Sequence, residues 1–223
     1  MNPVFVALDT SDCAAAEELA RAVAPHVGGL KLGLQFFMAN GPEGVQRLAG
    51  LGLPIFLDVK LHDIPNTVAG ALKSLRGLDL FMVNVHAGGG ADMLKAARDA
   101  CDPRTKLIGV TVLTSLDDVD LDALGVGDGT AAQVARLAAL SRDAGLDGVV
   151  CSPHEVAALK AAWPGGYFVV PGIRPGVGAS DDQKRTLTPC EALAAGASML
   201  VIGRPITGAT DPAEAARAIA ASL

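Results

Sequence analysis

The chain has 223 residues, half of them hydrophobic, which is enough to bury a sizeable core as one large domain spanning residues 1–223. A net charge of −6, from 18 Lys+Arg against 24 Asp+Glu, leaves no basic face and argues against nucleic acid or acidic lipid as a partner. The opening Met-Asn-Pro-Val-Phe-Val is not a basic leader and no apolar run approaches the roughly 20 residues of a membrane span, so a soluble, cytoplasmic protein is expected.

Taken in chain order, short Val-, Ile- and Leu-rich runs alternate with Ala-rich helical stretches. Strands are predicted at Val4 to Asp9, Gly29 to Gly33, Ile55 to Lys60, Leu80 to His86, Leu107 to Leu113, Gly148 to Ser152, Phe168 to Pro171 and Met199 to Gly203. A helix follows each, the first over Ser11 to Val27 with Ser11 as N-cap, the last over Asp211 to Ser222 with Pro212 at its first position. Eight βα units predict an α/β fold closed as a single (β/α)8 TIM barrel, with an open doubly wound sheet as the alternative. Two segments read as too polar or Gly-rich for strand or helix: Leu116 to Thr130 and Gly172 to Thr186. The widely spaced Cys13, Cys101, Cys151 and Cys190 form no Cys-x-x-Cys pair and are expected to be buried or half-buried thiols.

Side chains alternate along a strand, so Ile55, Leu57 and Val59 share the face toward the helices while Phe56, Asp58 and Lys60 point inward. The same parity turns Asp9 inward at the end of the first strand, Lys31 on the second, and Met82, Asn84 and His86 on the fourth. Four charges therefore converge where barrels carry their chemistry, at the C-terminal ends of the strands. Ion pairs that merely plug the mouth would stabilise poorly, because desolvation offsets most of their attraction. A functional site is the stronger reading.

Residues 55 to 68, Ile-Phe-Leu-Asp-Val-Lys-Leu-His-Asp-Ile-Pro-Asn-Thr-Val, carry an Asp-x-Lys-x-x-Asp-Ile-Pro-x-Thr core that resembles the signature of the orotidine 5′-monophosphate decarboxylases. Val-Ala-Leu-Asp9, Leu-Lys31-Leu-Gly, Asn-Val-His86-Ala-Gly-Gly, Val-Thr-Val-Leu-Thr114-Ser, Pro-Gly-Ile-Arg174 and Val-Ile-Gly203-Arg204-Pro-Ile extend the resemblance in the same order over nearly the whole chain. It implies a homodimeric (β/α)8 enzyme that converts orotidine 5′-monophosphate to uridine 5′-monophosphate and carbon dioxide in pyrimidine synthesis, with neither metal nor organic cofactor. Lys60 would be the proton donor, and Lys31, Asp58 and Asp63 would complete an alternating charge array. Asp63, Ile64 and Thr67 would reach into the partner subunit's site. Asp9 would hold ribose hydroxyls and Thr114 would lie near the pyrimidine. Gln183, Arg174, Gly203 and Arg204 would hold the phosphate.

That chemistry explains the residue types. Loss of carbon dioxide leaves an in-plane electron pair that the ring's π system cannot spread, so fixed cations in a water-poor cavity must stabilise it. Phosphate suits the loops after strands seven and eight, where arginine offers a planar donor fork and glycine permits close approach. The segment from Pro175 to Arg185 reads as a lid or as an ordinary loop.

Other signals are weaker. Asp118, Asp120 and Asp122 have calcium-loop spacing, but Ala123 and Gly129 occupy positions that need Gly and Glu. Gly125-Val-Gly127-Asp-Gly129 lacks the dinucleotide spacing. Gly88 to Gly90 reads as a phosphate cradle or a tight turn, and His86 as a structural histidine or one that shapes the site. The competing functions are a magnesium-dependent sugar-phosphate decarboxylase or aldolase, a group whose metal-binding glutamate would stand at Lys31, and a non-catalytic nucleotide-phosphate binding protein.

Overall fold

The computed structural model describes residues 2–174 and 187–223. Eight parallel strands close into a barrel in sequence order: β1 (Val4–Leu8), β2 (Gly29–Gly33), β3 (Ile55–Leu61), β4 (Met82–His86), β5 (Lys106–Val110), β6 (Gly148–Val150), β7 (Tyr167–Val170) and β8 (Met199–Ile202), with β8 pairing back to β1. The helices are α1 (Cys13–Val23), α2 (Leu34–Ala49), α3 (Pro65–Ser74), α4 (Gly90–Ala100), α5 (Asp118–Ala123), α6 (Gly129–Asp143), α7 (Val156–Ala162), α8 (Pro189–Ala194), α9 (Arg204–Thr207) and α10 (Pro212–Ala221). The expected (β/α)8 barrel is the observed one, and the open sheet is excluded by the β1–β8 pairing.

Strand parity divides the apolar residues into two cores. Val4, Val6 and Leu8 of β1, Leu30 and Leu32 of β2, and Ile55 and Leu57 of β3 pack outward against the helices. Phe5, Phe56, Met82, Ile108, Val169 and Met199 fill the barrel interior. The interior is thus plugged by side chains, and any ligand must sit above this plug.

Local chemistry moves several predicted boundaries. Asp12, not Ser11, caps α1, its carboxylate accepting the N–H groups of Ala14 at 2.8 Å and Ala15 at 3.1 Å. That helix ends at Val23, where Pro25 introduces a short 3₁₀ turn, rather than running to Val27. Pro212 begins α10 as expected, with Asp211 capping it. Strand β5 stops at Val110 instead of Leu113, because its neighbour β6 offers partners only as far as Val150. The stretch 116–130 contains helical structure that its polarity conceals. Asp117 and Asp120 form a reciprocal capping box, Leu121 is buried, and α5 and the start of α6 fall inside the stretch. Cys13 is half-buried and Cys101 and Cys151 are buried, but Cys190 is exposed at the start of α8, against expectation, because that short helix buries Pro189 and Ala192 instead.

Candidate active site

At the C-terminal mouth of the barrel, above the apolar plug, lies a cavity of about 490 Å³ lined by Asp9, Lys31, Asp58, Lys60, Thr114, Arg174, Gly203 and Arg204 among others. Its two halves differ. Strands β1 to β3 deliver charge, whereas Val110, Val150, Val169 and Val201 from β5 to β8 make an apolar wall.

The charged half is a chain of alternating sign. Lys31 Nζ donates to Asp9 Oδ1 at 2.7 Å and lies 3.7 Å from Asp58 Oδ2, while Lys60 Nζ donates to Asp58 Oδ1 at 2.6 Å. Burial of Asp58 works against its ionisation, but the Lys31 and Lys60 ammonium groups and the hydrogen bonds from Lys60 and Asn84 outweigh it and hold the carboxyl below the usual carboxylate range. Lys31 is buried with only 8% of its side chain exposed, so its charge is screened little. Gly33, at the end of β2, leaves room for this pair. A Cβ there would fall 2.8 Å from Asp9 Oδ1 and 2.9 Å from Lys31 Nζ.

Lys60 reaches the cavity, although not by regular alternation alone. The β3–β4 register shifts between Leu57 and Leu61, and Lys60 adopts φ +47°, in the left-handed region. Asn84 Oδ1 accepts the Lys60 N–H at 2.8 Å and Asn84 Nδ2 donates to Asp58 Oδ1 at 2.7 Å. Parity alone puts Asn84 on the inward face of β4, but its two bonds follow from the bulge and could not be read from spacing. His86, two residues on, stacks on His62 with ring centroids 5.0 Å apart, and its Nδ1 accepts the Gly88 N–H at 3.1 Å. Burial first, then His62 and Lys60, lowers its pKa, keeping the ring neutral near pH 7. Gly88 and Gly89 form the 3₁₀ turn into α4, as the tight-turn reading expects.

Thr114, Arg174, Gly203 and Arg204 line the same cavity on the side of the later strands, and Gly203 caps the short α9. Asp63, Ile64 and Thr67 are not brought into it. All three are exposed beyond β3, the Asp63 carboxylate accepts the Ile64 N–H at 2.7 Å, and Pro65 then opens α3. Gln183 and the proposed lid 175–185 lie outside the described residues. Among the described residues no group of three or more His, Cys, Asp or Glu is arranged to hold a metal ion, and no helix is long and apolar enough to cross a membrane.

Residues 2–219 match the family model described as the orotidine 5′-phosphate decarboxylase / HUMPS family. An orotidine 5′-phosphate decarboxylase of Novosphingobium aromaticivorans is 57% identical over 222 residues, covering 100% of this chain and 99% of the relative. Another from Sphingopyxis alaskensis is 56% identical with the same coverage. The crystal structure of the orotidine 5′-phosphate decarboxylase from Lactobacillus acidophilus superposes with a TM-score of 0.86 at 38% identity, covering 98% of this chain and 97% of that one. With full-length matches to sequence and to structure alike, the chain belongs to the orotidine 5′-phosphate decarboxylase / HUMPS family.

Proposed function

We propose that this chain is a carboxy-lyase that converts orotidine 5′-monophosphate to uridine 5′-monophosphate and carbon dioxide in pyrimidine synthesis, as one catalytic domain over residues 1–223 working in the cytoplasm. The observation that carries the reading is the Lys31–Asp58–Lys60 array, one carboxylate between two ammonium groups in a cavity whose opposite strands present valines. Full-length relatives at 53–57% identity are orotidine 5′-phosphate decarboxylases, and this likeness supports the choice of substrate.

In this reading the substrate's carboxylate lies beside Asp58 and its ring carbon beside Lys60. As the bond to the carboxylate breaks, carbon dioxide departs and the electron pair stays on the ring carbon. The Lys60 ammonium stabilises that pair and then donates its proton to the same carbon, so one group serves two steps. Lys60 afterwards regains a proton from water, which the adjacent Asp58 carboxylate favours. Asp9 takes the ribose hydroxyls, Thr114 neighbours the pyrimidine, and Arg174, Gly203, Arg204 and Gln183 take the phosphate. No metal or organic cofactor enters these steps. Both oxygens of Asp58 already face cations or an amide donor, and a magnesium ion would meet two ammonium groups, which disfavours the metal-dependent sugar-phosphate alternative.

The working unit is a homodimer in which Asp63, Ile64 and Thr67 complete the partner subunit's site. Support comes from their exposure outside this chain's own cavity, including an Ile64 that is 68% exposed.

The test is loss of orotidine 5′-monophosphate absorbance with purified wild type and Lys60→Ala in the presence of a metal chelator. Chelator-resistant turnover that vanishes in the variant is expected. Absence of wild-type turnover, or a requirement for magnesium, would favour the sugar-phosphate reading.

A further inference from the structure

Lys60 and Asp79 are the only non-glycine residues with positive φ among the described residues, and only Lys60 stands in the cavity. A lysine in the left-handed region is strained and persists only where its surroundings over-determine it. What surrounds the Lys60 backbone is Asn84, fully buried at 0% exposure on β4. Its carbonyl oxygen accepts the Lys60 N–H at 2.8 Å, and its amide donates to the same Asp58 oxygen that receives Lys60 Nζ, at 2.7 Å and 2.6 Å.

We infer that Asn84 is a positioning residue for the reaction, holding the Lys60 backbone in its left-handed conformation while fixing the Asp58 carboxylate to which the Lys60 ammonium is tied. One side chain thereby sets both ends of the lysine. The amide is suited to this because it carries an acceptor and a donor on one planar group, and because its N–H demands an ionised, accepting oxygen from Asp58. Leucine or valine at this position would leave the Lys60 N–H and one side of Asp58 without a partner, and aspartate would oppose Asp58 with a like charge. The inference rests on the reading that Lys60 and Asp58 are the reacting groups.

Asn84 touches neither the ribose nor the phosphate end of the cavity, so its removal should spare nucleotide binding and spoil turnover. Asn84→Ala is expected to lower kcat by about 100-fold, the scale of a misplaced reacting group, while uridine 5′-monophosphate binds with unchanged affinity. Asn84→Asp supplies a readout that packing alone would not move. Around position 84 stand Asp58 and Lys60 from β3, Lys31 behind Asp58 from β2, His86 on the same strand, and the apolar Ile108 as register partner on β5. Ionised, the new carboxylate cannot donate to Asp58; protonated, it can both donate to Asp58 and accept from Lys60. The variant's kcat should therefore rise as pH falls through the titration of the introduced acid, a limb absent from wild type.

The inference is overturned if Asn84→Ala keeps kcat within about threefold of wild type, if it loses nucleotide affinity and kcat together, or if a folded Asn84→Asp follows the wild-type pH profile. Should the aspartate variant not fold, the split between kcat and affinity in Asn84→Ala decides alone. Should that variant not fold either, Asn84→Ser must give the same split, and a serine variant with wild-type kcat overturns the inference. Turnover retained by Lys60→Ala would instead bring down the reading on which the inference rests.

Discussion

The two walls of the cavity are built on opposite principles. On β1 to β3 the facing groups are Asp9, Lys31, Asp58 and Lys60, each polar tip engaged with another over 2.6 to 3.7 Å, and the buried Asn84 of β4 supports Asp58 from behind. Facing them from the strands β5 to β8 are Val110, Val150, Val169 and Val201, which offer no polar atom beyond the backbone, while Thr114, Arg174 and Arg204 stand beyond the ends of these strands. The contrast teaches why both are needed. Charges fixed in advance act strongly only where water is kept from screening them, and the valine wall supplies that condition without competing for the substrate's polar groups. Stability alone would not favour such a plan, since burying Asp58 and Lys31 costs desolvation that a hydrophobic replacement would avoid.

Substitutions in either wall should show the difference. The largest effect is expected from Lys60→Ala, which removes the proposed proton donor and should lower kcat by about 10⁴-fold, the upper range for general acid catalysis, as read from orotidine 5′-monophosphate turnover. Asp58→Asn leaves Lys31 and Lys60 as neighbouring cations with no anion between them and should cost about 10² to 10³-fold in kcat. Gly33→Ala drives a methyl into the Asp9–Lys31 pair, and steady-state kinetics should register it mainly as a KM raised about tenfold, through the proposed ribose contact of Asp9. The smallest effect belongs to the opposite wall. Val169→Thr buries a hydroxyl at a fully covered position and should lower stability by about 1–3 kcal/mol, seen as a lower Tm, with turnover far less affected than in any charged-wall variant.

Acid sharpens the same contrast. The folded-state pKa of Asp58 lies below its ordinary value, so its ion pairs contribute stability that is fully present above about pH 5 and is lost progressively as pH falls through the unfolded value near 3.9 toward the folded one. Wild type should therefore lose Tm faster than Asp58→Asn as pH is lowered from 5 to 3, by an amount that Val169→Thr does not alter.

The barrel was legible because its eight strands are nearly continuous apolar runs separated by helical stretches, and strand parity sufficed to bring Asp9, Lys31 and Asp58 together and to turn Lys60 toward them. The backbone of Lys60 was not legible. Val59-Lys60-Leu61 continues the strand pattern, and the bulge that bends it exists only in the pairing of β3 with β4. Asn84 escaped selection for the same reason, since its two bonds depend on that bend. Helix α5 was concealed by an Asp-rich composition in which Asp117 and Asp120 serve as caps rather than as loop residues. Arg174, Gly203 and Arg204 are legible from the resemblance and from their position after the last two strands, and they line the cavity.

The central claim is that Asp58 and Lys60 act as one device. Its most direct test is the turnover of Asp58→Asn, Lys60→Ala and the double variant, measured side by side with uridine 5′-monophosphate binding as the check on folding. Groups that act as a unit give losses that do not multiply, so the double variant should be about as slow as Lys60→Ala alone. A double variant slower by the product of the two single losses would mean that the two residues act independently, and the account would be contradicted.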